Sequence, residues 1–158
     1  MVEVASHRAP FTKNWCRAQG IVLYEAEGLG YVEDICAAAD DLGEAGTPFF
    51  TCVSDLPCLA PDIIAGVEEA WRRAKTPACS TWVPRSLCEE HGCRTQYTET
   101  VDGVPACPAG INILTAGGFD GLEEELCLLL HDRRLAFNVN TREELALVQG
   151  YLCRKRVP

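Results

Sequence analysis

The stretch PFFTCVSDLP, Pro48–Pro57, joins an apolar run to a polar turn and is the part of the sequence most informative about the fold. Continuous apolar residues over Pro48–Ser54 are typical of a strand that is covered on both faces, as in a parallel sheet. Pro57 ends this strand, and Pro61 suits the first turn of the helix predicted to follow. A buried strand followed by a turn and a helix indicates an α/β protein.

Strand-like and helix-like segments alternate on both sides of this stretch, which predicts a Rossmann-like α/β fold with a mainly parallel sheet and helices on both faces. The predicted strands are Met1–Ala5, Ile21–Tyr24, Pro48–Ser54, Ala78–Val83, Ile111–Leu114 and Leu135–Val139. The predicted helices are Thr12–Gln19, Val32–Leu42, one from Pro61, Leu122–His131 and one from Thr141. We find no repeat or linker, so we expect one domain spanning residues 1–158.

Local signals define several ends of these elements. Gly20 is suited to the end of the first helix, and Asp102-Gly103 in the alternating segment Arg94–Cys107 predicts a hairpin turn. Thr141 and Glu144 have the spacing of a capping box at the start of the last helix. Apolar residues at helical spacing predict the buried faces Val32, Ile35, Cys36 and Ala39; Ile63, Val67 and Trp71; Leu122, Leu126, Leu129 and Leu130; and Leu145, Val148 and Leu152.

Composition excludes several classes of protein. The net charge of −9 argues against nucleic acid as a partner, because phosphate backbones need a basic surface. No apolar run approaches the roughly 18 residues of a membrane span, and Met1–Ala5 does not resemble a signal peptide. We therefore expect a cytoplasmic protein that binds neither nucleic acid nor membranes.

The ten cysteines lie mostly in apolar segments, where cysteine behaves as a small buried hydrophobe. Cys88, His91 and Cys93 form one polar cluster with three potential zinc ligands and no evident fourth. Structural zinc sites are closed by four ligands, so we expect a solvated loop with reduced thiols rather than a zinc site.

Asp55 is the first candidate site residue. It follows the strand that ends at Ser54, and ligands of open α/β sheets bind outside the carboxyl ends of strands. A carboxylate there can hold a divalent cation, which can bridge phosphate oxygens. The alternative is a turn in which Asp55 bonds only nearby backbone groups. The residues themselves leave both interpretations open.

Two further polar segments are candidates. In Asn138-Val139-Asn140-Thr141, Asn140 can offer a carbonyl oxygen to a cation, and Asn138 alternates with it and should face the same side. In Gly28–Asp34, Gly28 and Gly30 precede a helix start, where backbone N–H groups can receive an anion or a base edge. Glu33 and Asp34 can instead serve only the helix dipole.

Together these segments resemble the archaeal GTP:adenosylcobinamide-phosphate guanylyltransferases, within the molybdenum-cofactor-guanylyltransferase-like nucleotidyltransferases. The matching stretches are GYVEDICAA at Gly30–Ala38, FTCVSDLPCL at Phe50–Leu59, PAGINIL at Pro108–Leu114 and NVNTREEL at Asn138–Leu145. Ser6–Arg17 also resembles the segment after the family's second strand. The motifs SDLP and NxNT are shared by several nucleotidyltransferases, whereas GYVED and PAGIN indicate the cobinamide branch.

The resemblance implies transfer of GMP from GTP to adenosylcobinamide phosphate, with release of pyrophosphate, in cobalamin biosynthesis. It implies that Asp55 is the catalytic, metal-binding carboxylate, with Asn140 as a second Mg²⁺ ligand. It places Gly28, Gly30, Tyr31, Glu33 and Asp34 beside the nucleotide. It places Pro108, Ala109, Gly110 and Asn112 beside the acceptor.

The family's first strand and its Gly-rich loop, of the type LxxAGGxGTRM, have no counterpart in this sequence. Such loops hold the triphosphate through backbone N–H groups, so we expect reduced or absent activity without one. An upstream gene start, re-pairing of the strands, or a homodimer in which another chain fills the gap all remain open. Two further functions remain open as well, namely a non-catalytic binding or assembly module and a transferase acting on a molybdopterin or a sugar phosphate.

Overall fold

The structure, a computed structural model, describes residues 1–44, 46–93, 97–115 and 124–155. Its elements are β1 (Glu3–Ser6), α1 (Pro10–Gln19), β2 (Leu23–Ala26), α2 (Tyr31–Asp41), β3 (Pro48–Cys52), α3 (Pro61–Ala74), β4 (Ala78–Pro84), α4 (Arg85–Glu90), β5 (Glu99–Val101), β6 (Val104–Thr115), β7 (Glu125–Leu129), a 3₁₀ helix (Arg133–Ala136) and α5 (Arg142–Lys155). The predicted α/β class is confirmed. The short helix α4 was not predicted from the sequence.

The chain forms two compact units. The described residues of the first unit are those up to Pro48 together with Thr115, and those of the second unit are the rest. Each unit has its own sheet and helices. The predicted single domain over residues 1–158 stays a prediction.

The first unit contains a two-stranded parallel sheet, in which Glu3 of β1 lies opposite Leu23 of β2. Gly20 ends α1 with a φ of 68°, a left-handed conformation that favours glycine, as its position in the sequence predicted. Helix α2 follows Gly30. The buried residues up to Pro48 are all small, namely Ala5, Cys16, Ala26, Ala38 and Ala39.

The second unit contains a mixed sheet of five strands in the order β3-β6-β4-β7, with β5 paired to β6. Strands β4 and β7 are parallel, whereas β6 runs antiparallel to both β4 and β5. Val101 lies opposite Val104, which leaves Asp102-Gly103 as a two-residue hairpin turn. Both turn residues have positive φ, at 51° and 78°, as the Asp-Gly pair predicted.

Two predicted elements have a different conformation. The predicted helix Leu122–His131 begins outside the described residues, and its described part contains β7. Leu126, Leu128 and Leu130 pack on one core cluster at a spacing of two residues, so the apolar run follows a strand period. The predicted strand Leu135–Val139 is wrong, because the 3₁₀ helix occupies Arg133–Ala136 and no strand follows it in residues 137–155.

The segment Pro108–Gly110, which has the composition of a turn, is an irregularity inside the long strand β6. Pro108 lies opposite Trp82 and Asn112 lies opposite Ser80, so three residues of β6 face the single residue Thr81 of β4. The Thr81 hydroxyl donates to the Ile111 carbonyl at 2.6 Å and links the two strands across the irregularity. A bulge of this kind produces the same Pro and Gly signals as a turn.

The buried helix faces were predicted only in part. Ile63 and Val67 are buried on α3 as expected, and Ala39 is buried on α2, but Val32 is exposed. On α5 the buried face is Glu144, Val148 and Tyr151, whereas Leu145 and Leu152 are exposed. Strand β3 was expected to be covered on both faces, yet it lies at the edge of its sheet and its Phe50 is exposed.

Candidate functional site

Asp55 lies in the turn after β3, and buried neighbours hold it there. Leu56 and Cys58 belong to the largest core cluster of the second unit. The Leu59 amide donates to the Leu56 carbonyl at 3.1 Å and closes the turn. In SDLPC, the polar Asp55 is therefore followed by two core residues, Leu56 and Cys58, which hold the backbone at Asp55 in place.

Asn138 and Asn140 lie between the 3₁₀ helix and α5. Leu135, Ala136 and Phe137, just before them, are all buried in the same core cluster. The Phe137 ring lies between His91 and Tyr151, with ring centroids 5.3 and 4.6 Å away. Packing of these three side chains, rather than a strand, therefore holds the segment that carries the two asparagines.

Hydrogen bonds bring these residues together. The Asn138 side-chain amide donates to Asp55 Oδ1 at 3.0 Å, and the Asn140 side-chain amide donates to Asn138 Oδ1. The Val139 backbone amide donates to the Asp55 carbonyl at 3.0 Å and links the two segments a second time. The partner of the Asp55 carboxylate thus lies 83 residues away, and not in the nearby backbone as the turn interpretation required. Asn138 and Asn140 are in contact, although the segment is not the strand on which their expected alternation rested.

The donor set of this site suits a hard cation. It combines one carboxylate with amide oxygens, and Mg²⁺ binds one or two carboxylates in proteins that use it with phosphate substrates. Asp55 is half-buried and Asn140 is exposed, so solvent reaches the site. In the described part of the chain, Asp55 Oδ2 and Asn140 Oδ1 accept no hydrogen bond. Both oxygens therefore remain available, and their role as Mg²⁺ ligands stays a prediction.

The segment predicted to contact the acceptor has a close structural link to Asp55. The Val53 amide donates to the Gly110 carbonyl at 2.9 Å, two residues before Asp55. Gly110 has a φ of 76°, and a side chain there would place its Cβ 2.4 Å from Val53 Cγ2. This packing explains why glycine stands at position 110, and the sequence alone did not indicate it.

The other predicted acceptor residues differ in accessibility. Pro108 is exposed and Asn112 is half-buried, whereas Ala109 is buried in the core. The side chain of Ala109 thus packs inside the protein, while its neighbours reach the surface. An acceptor-binding role for this segment stays a prediction.

The predicted nucleotide segment lies in the first unit, and its hydrogen bonds run back to its own helix. The backbone amides of Gly28 and Leu29 both donate to Asp34 Oδ1, at 3.0 and 3.2 Å. These two amides are therefore occupied, and the carboxylate of Asp34 already provides the anion expected before a helix start. Gly28 has a φ of 79° and packs against Ser6 and His7, which favours glycine.

The remaining residues of this segment are more open. Tyr31 and Glu33 are exposed, and the Glu33 carboxylate lies over Gly30, where a Cβ would come within 2.1 Å of Glu33 Oε2. That contact is with the end of a flexible side chain, so the surface above Gly30 can be uncovered by one rotamer change. A nucleotide-binding role for Gly28–Asp34 stays a prediction.

A second polar cluster, which the sequence did not indicate, lines a groove of about 250 Å³. Arg134 donates to both oxygens of Asp62 and both oxygens of Asp132. The Arg134 guanidinium holds the pKa values of both carboxyls below their usual range. All four carboxylate oxygens are thus engaged, so this cluster joins α3 to the 3₁₀ helix.

The solvated loop expected at Cys88 and Cys93 is wrong, because Cys88 lies in α4 and both cysteines are buried. Burial raises the pKa of the Cys88 thiol to about 12, and burial also raises the pKa of Cys93. In the residues that the structure describes, no three His, Cys, Asp or Glu side chains are arranged to hold a metal ion. The reduced state of the ten thiols stays a prediction.

Comparisons with known proteins give a fold and no family. No model of a protein family matches the sequence, and no curated protein matches it significantly. A solved structure from Thermus thermophilus, described as that of a hypothetical transferase, is similar with a TM-score of 0.60 and 11% identity. The similarity covers 92% of this chain and 100% of that one. At this identity it shows the shared fold alone.

None of the helices in the described ranges has both the length and the apolar character that crossing a bilayer requires.

Proposed function

We propose that this chain is a nucleotidyltransferase that moves GMP from GTP to the phosphate of adenosylcobinamide phosphate. The observation that carries the proposal is the hydrogen-bonded chain from Asp55 through Asn138 to Asn140. The similar fold of the hypothetical transferase from Thermus thermophilus supports the wider class of transferase. The GYVED and PAGIN segments support the guanylyl donor and the cobinamide acceptor.

In the proposed reaction, an oxygen of the acceptor phosphate attacks the α-phosphorus of GTP. The bond between the α-phosphorus and its bridging oxygen to the β-phosphate breaks, and pyrophosphate leaves with the electron pair. Negative charge therefore gathers on the leaving oxygens in the transition state. Reactions of this type depend mainly on positioning and on neutralising that charge.

The residues of the second unit suit this task. Asn138 binds Asp55 Oδ1 and so fixes the plane of the carboxylate, with Oδ2 left to a ligand. Asn140 donates to Asn138 through its side-chain nitrogen, which leaves its amide oxygen as a second candidate ligand. When bound to these oxygens, Mg²⁺ would supply positive charge to the phosphate oxygens. We assign Gly28–Asp34 to the nucleotide and Pro108–Asn112 to the acceptor on the resemblance alone.

The test is a transfer assay with the 158-residue chain, GTP, Mg²⁺ and adenosylcobinamide phosphate. Because the sequence predicts weak binding of the triphosphate, enzyme is used at substrate concentration in a single turnover. Pyrophosphate and the guanylylated product are measured by mass spectrometry. The unmodified chain should form both products in equal amounts, at the low rate expected without the Gly-rich loop.

The variant Asp55→Asn should lower the transfer rate by about 100-fold or more, as for a group that organises charge in a transition state. Asp102→Asn is the matched control, because Asp102 is an exposed hairpin residue with positive φ that asparagine tolerates. It should leave the rate unchanged. Equal rates for Asp55→Asn and the unmodified chain would refute the site. Transfer only to a molybdopterin or a sugar phosphate would refute the acceptor and retain the site.

A further inference from the structure

Glu144 is a buried carboxylate beside the candidate site. Its residue is only 4% exposed, although charged side chains are almost never buried without partners. Glu144 Oε2 accepts hydrogen bonds from the Thr141 amide at 2.9 Å and from the Thr141 hydroxyl at 3.2 Å. The Glu144 amide donates back to the Thr141 hydroxyl at 3.2 Å. This reciprocal pair is the capping box that the sequence predicted.

One hydrogen bond goes beyond the capping box. The backbone amide of Asn140, one residue before the cap, also donates to Glu144 Oε2 at 2.9 Å. A capping box needs only the amide of Thr141, so this additional bond does not serve the cap itself. It holds the backbone of the residue whose side chain continues to Asn138 and then to Asp55.

Three hydrogen bonds thus connect four residues one after another: Glu144, Asn140, Asn138 and Asp55. At one end is a buried carboxylate, Glu144, and at the other is the half-buried carboxylate of Asp55. The bond from the Asn140 amide to Glu144 lies at the buried end of this network, where a low local dielectric strengthens a hydrogen bond. The position of the Asn140 side chain therefore depends on Glu144.

We propose that Glu144 is a positioning residue, which sets the orientation of Asn140 for cation binding at the Asp55 site. This inference rests on the proposed function, because it assumes that Asp55 and Asn140 bind the cation. Glu144 itself does not reach the reacting atoms. It acts through the backbone of Asn140, as supporting residues act on the ligands of other metal sites.

The experiment measures Mn²⁺ affinity by electron paramagnetic resonance, with Mn²⁺ alone as the probe in place of Mg²⁺. The variants are Asp55→Asn, Glu144→Ala, Glu144→Gln and Thr141→Ala. Thr141→Ala is the matched control, since it removes the hydroxyl half of the capping box and leaves the Asn140–Glu144 bond in place. Thermal unfolding followed by circular dichroism reports the loss of the cap in each variant.

Glu144→Ala should weaken Mn²⁺ binding by about 10- to 100-fold, the range for lost supporting contacts of metal ligands. Glu144→Gln should weaken it less, because its side-chain oxygen can still accept from the Asn140 amide. Thr141→Ala should lower the unfolding temperature without a comparable loss of affinity. If Glu144→Ala does not fold, the affinity of Glu144→Gln decides the question.

Two outcomes would overturn the inference, and they are distinguishable. In the first outcome, Asp55→Asn weakens Mn²⁺ binding, while Glu144→Ala changes the Mn²⁺ affinity no more than Thr141→Ala does. Glu144 then only caps the helix, and the proposed function stands. If Asp55→Asn binds Mn²⁺ as well as the unmodified chain does, the metal site fails, and the role of Glu144 fails with it.

Discussion

The two units of the chain bury very different side chains. Among the described residues of the first unit, those that are buried are alanines and one cysteine. On its helix α1, Phe11 is 88% exposed and Trp15 is 59% exposed. In the second unit the buried residues include Ile111, Phe137 and other large side chains. Hydrophobic stabilisation scales with the apolar area removed from water. Most of the stability should therefore come from the second unit.

This difference bears on the candidate site. Asp55, Asn138 and Asn140 all belong to the second unit, and the segments that carry them are anchored in its largest core cluster. The predicted nucleotide segment belongs to the first unit, where one carboxylate, Asp34, organises the loop. The proposed cation site thus belongs to the better-packed unit.

The largest expected effect comes from the core of the second unit. Ile111 is 1% exposed, and Ile111→Ala should lower the free energy of unfolding by about 2–5 kcal/mol, the cost of a buried cavity. Trp15→Ala in the first unit removes a larger but exposed side chain and should change the free energy of unfolding by less than about 0.5 kcal/mol. Urea unfolding followed by circular dichroism compares the two variants. Similar losses for both would contradict the contrast between the units.

A smaller effect is expected at the contact between Gly110 and Val53. Gly110→Ala should lower the free energy of unfolding by about 1–3 kcal/mol, because alanine is strained at positive φ and its Cβ would overlap Val53. Gly103→Ala is the control, since Gly103 also has positive φ but a Cβ there would meet open space. Urea unfolding gives the difference between the two variants, which measures the packing contribution. A difference of zero would show that Val53 moves aside at no cost.

The sequence predicted those features that depend on neighbouring residues. The capping box at Thr141 and Glu144, the Asp-Gly hairpin and the glycine end of α1 all follow from local chemistry. Asp55 and Asn140 were expected near each other, and the structure connects them through Asn138.

Features that depend on distant pairing were missed. The leucines of β7 fit a helix or a strand equally well, and the parallel register with β4 determines which one forms. The bulge at Gly110 needs β4 opposite it. None of these partners is apparent from the spacing of residues.

The smallest expected effect compares one ion-pair cluster from each unit. In the second unit, Arg134 lowers the pKa of Asp132; in the first unit, Lys13 and then Arg17 lower the pKa of Glu25. A carboxyl whose pKa is lowered on folding stabilises the protein above its unfolded pKa, which is about 3.9 for Asp and about 4.3 for Glu. That stability is lost as the pH falls through the lower, folded pKa. Both clusters should therefore contribute fully above about pH 5 and progressively less below about pH 4.

The variants Asp132→Asn and Glu25→Gln test this comparison through unfolding temperatures measured from about pH 3 to about pH 8, a range chosen to span both unfolded pKa values. Side-chain exposure is 29% for Asp132 and 51% for Glu25, so solvent screens the Glu25 pairs more strongly. At pH 7, Asp132→Asn should lower the unfolding temperature by about 1–4 °C, and Glu25→Gln should lower it less. For both variants, the difference in unfolding temperature from the unmodified protein should become smaller in acid, since protonation removes the same charge that the substitution removes. A gap that widens below about pH 4 would contradict the lowered pKa values, because the neutral form would then be the one that folding favours. A larger loss of unfolding temperature for Glu25→Gln would instead show that ion pairs contribute more to stability in the first unit, whose buried side chains are small.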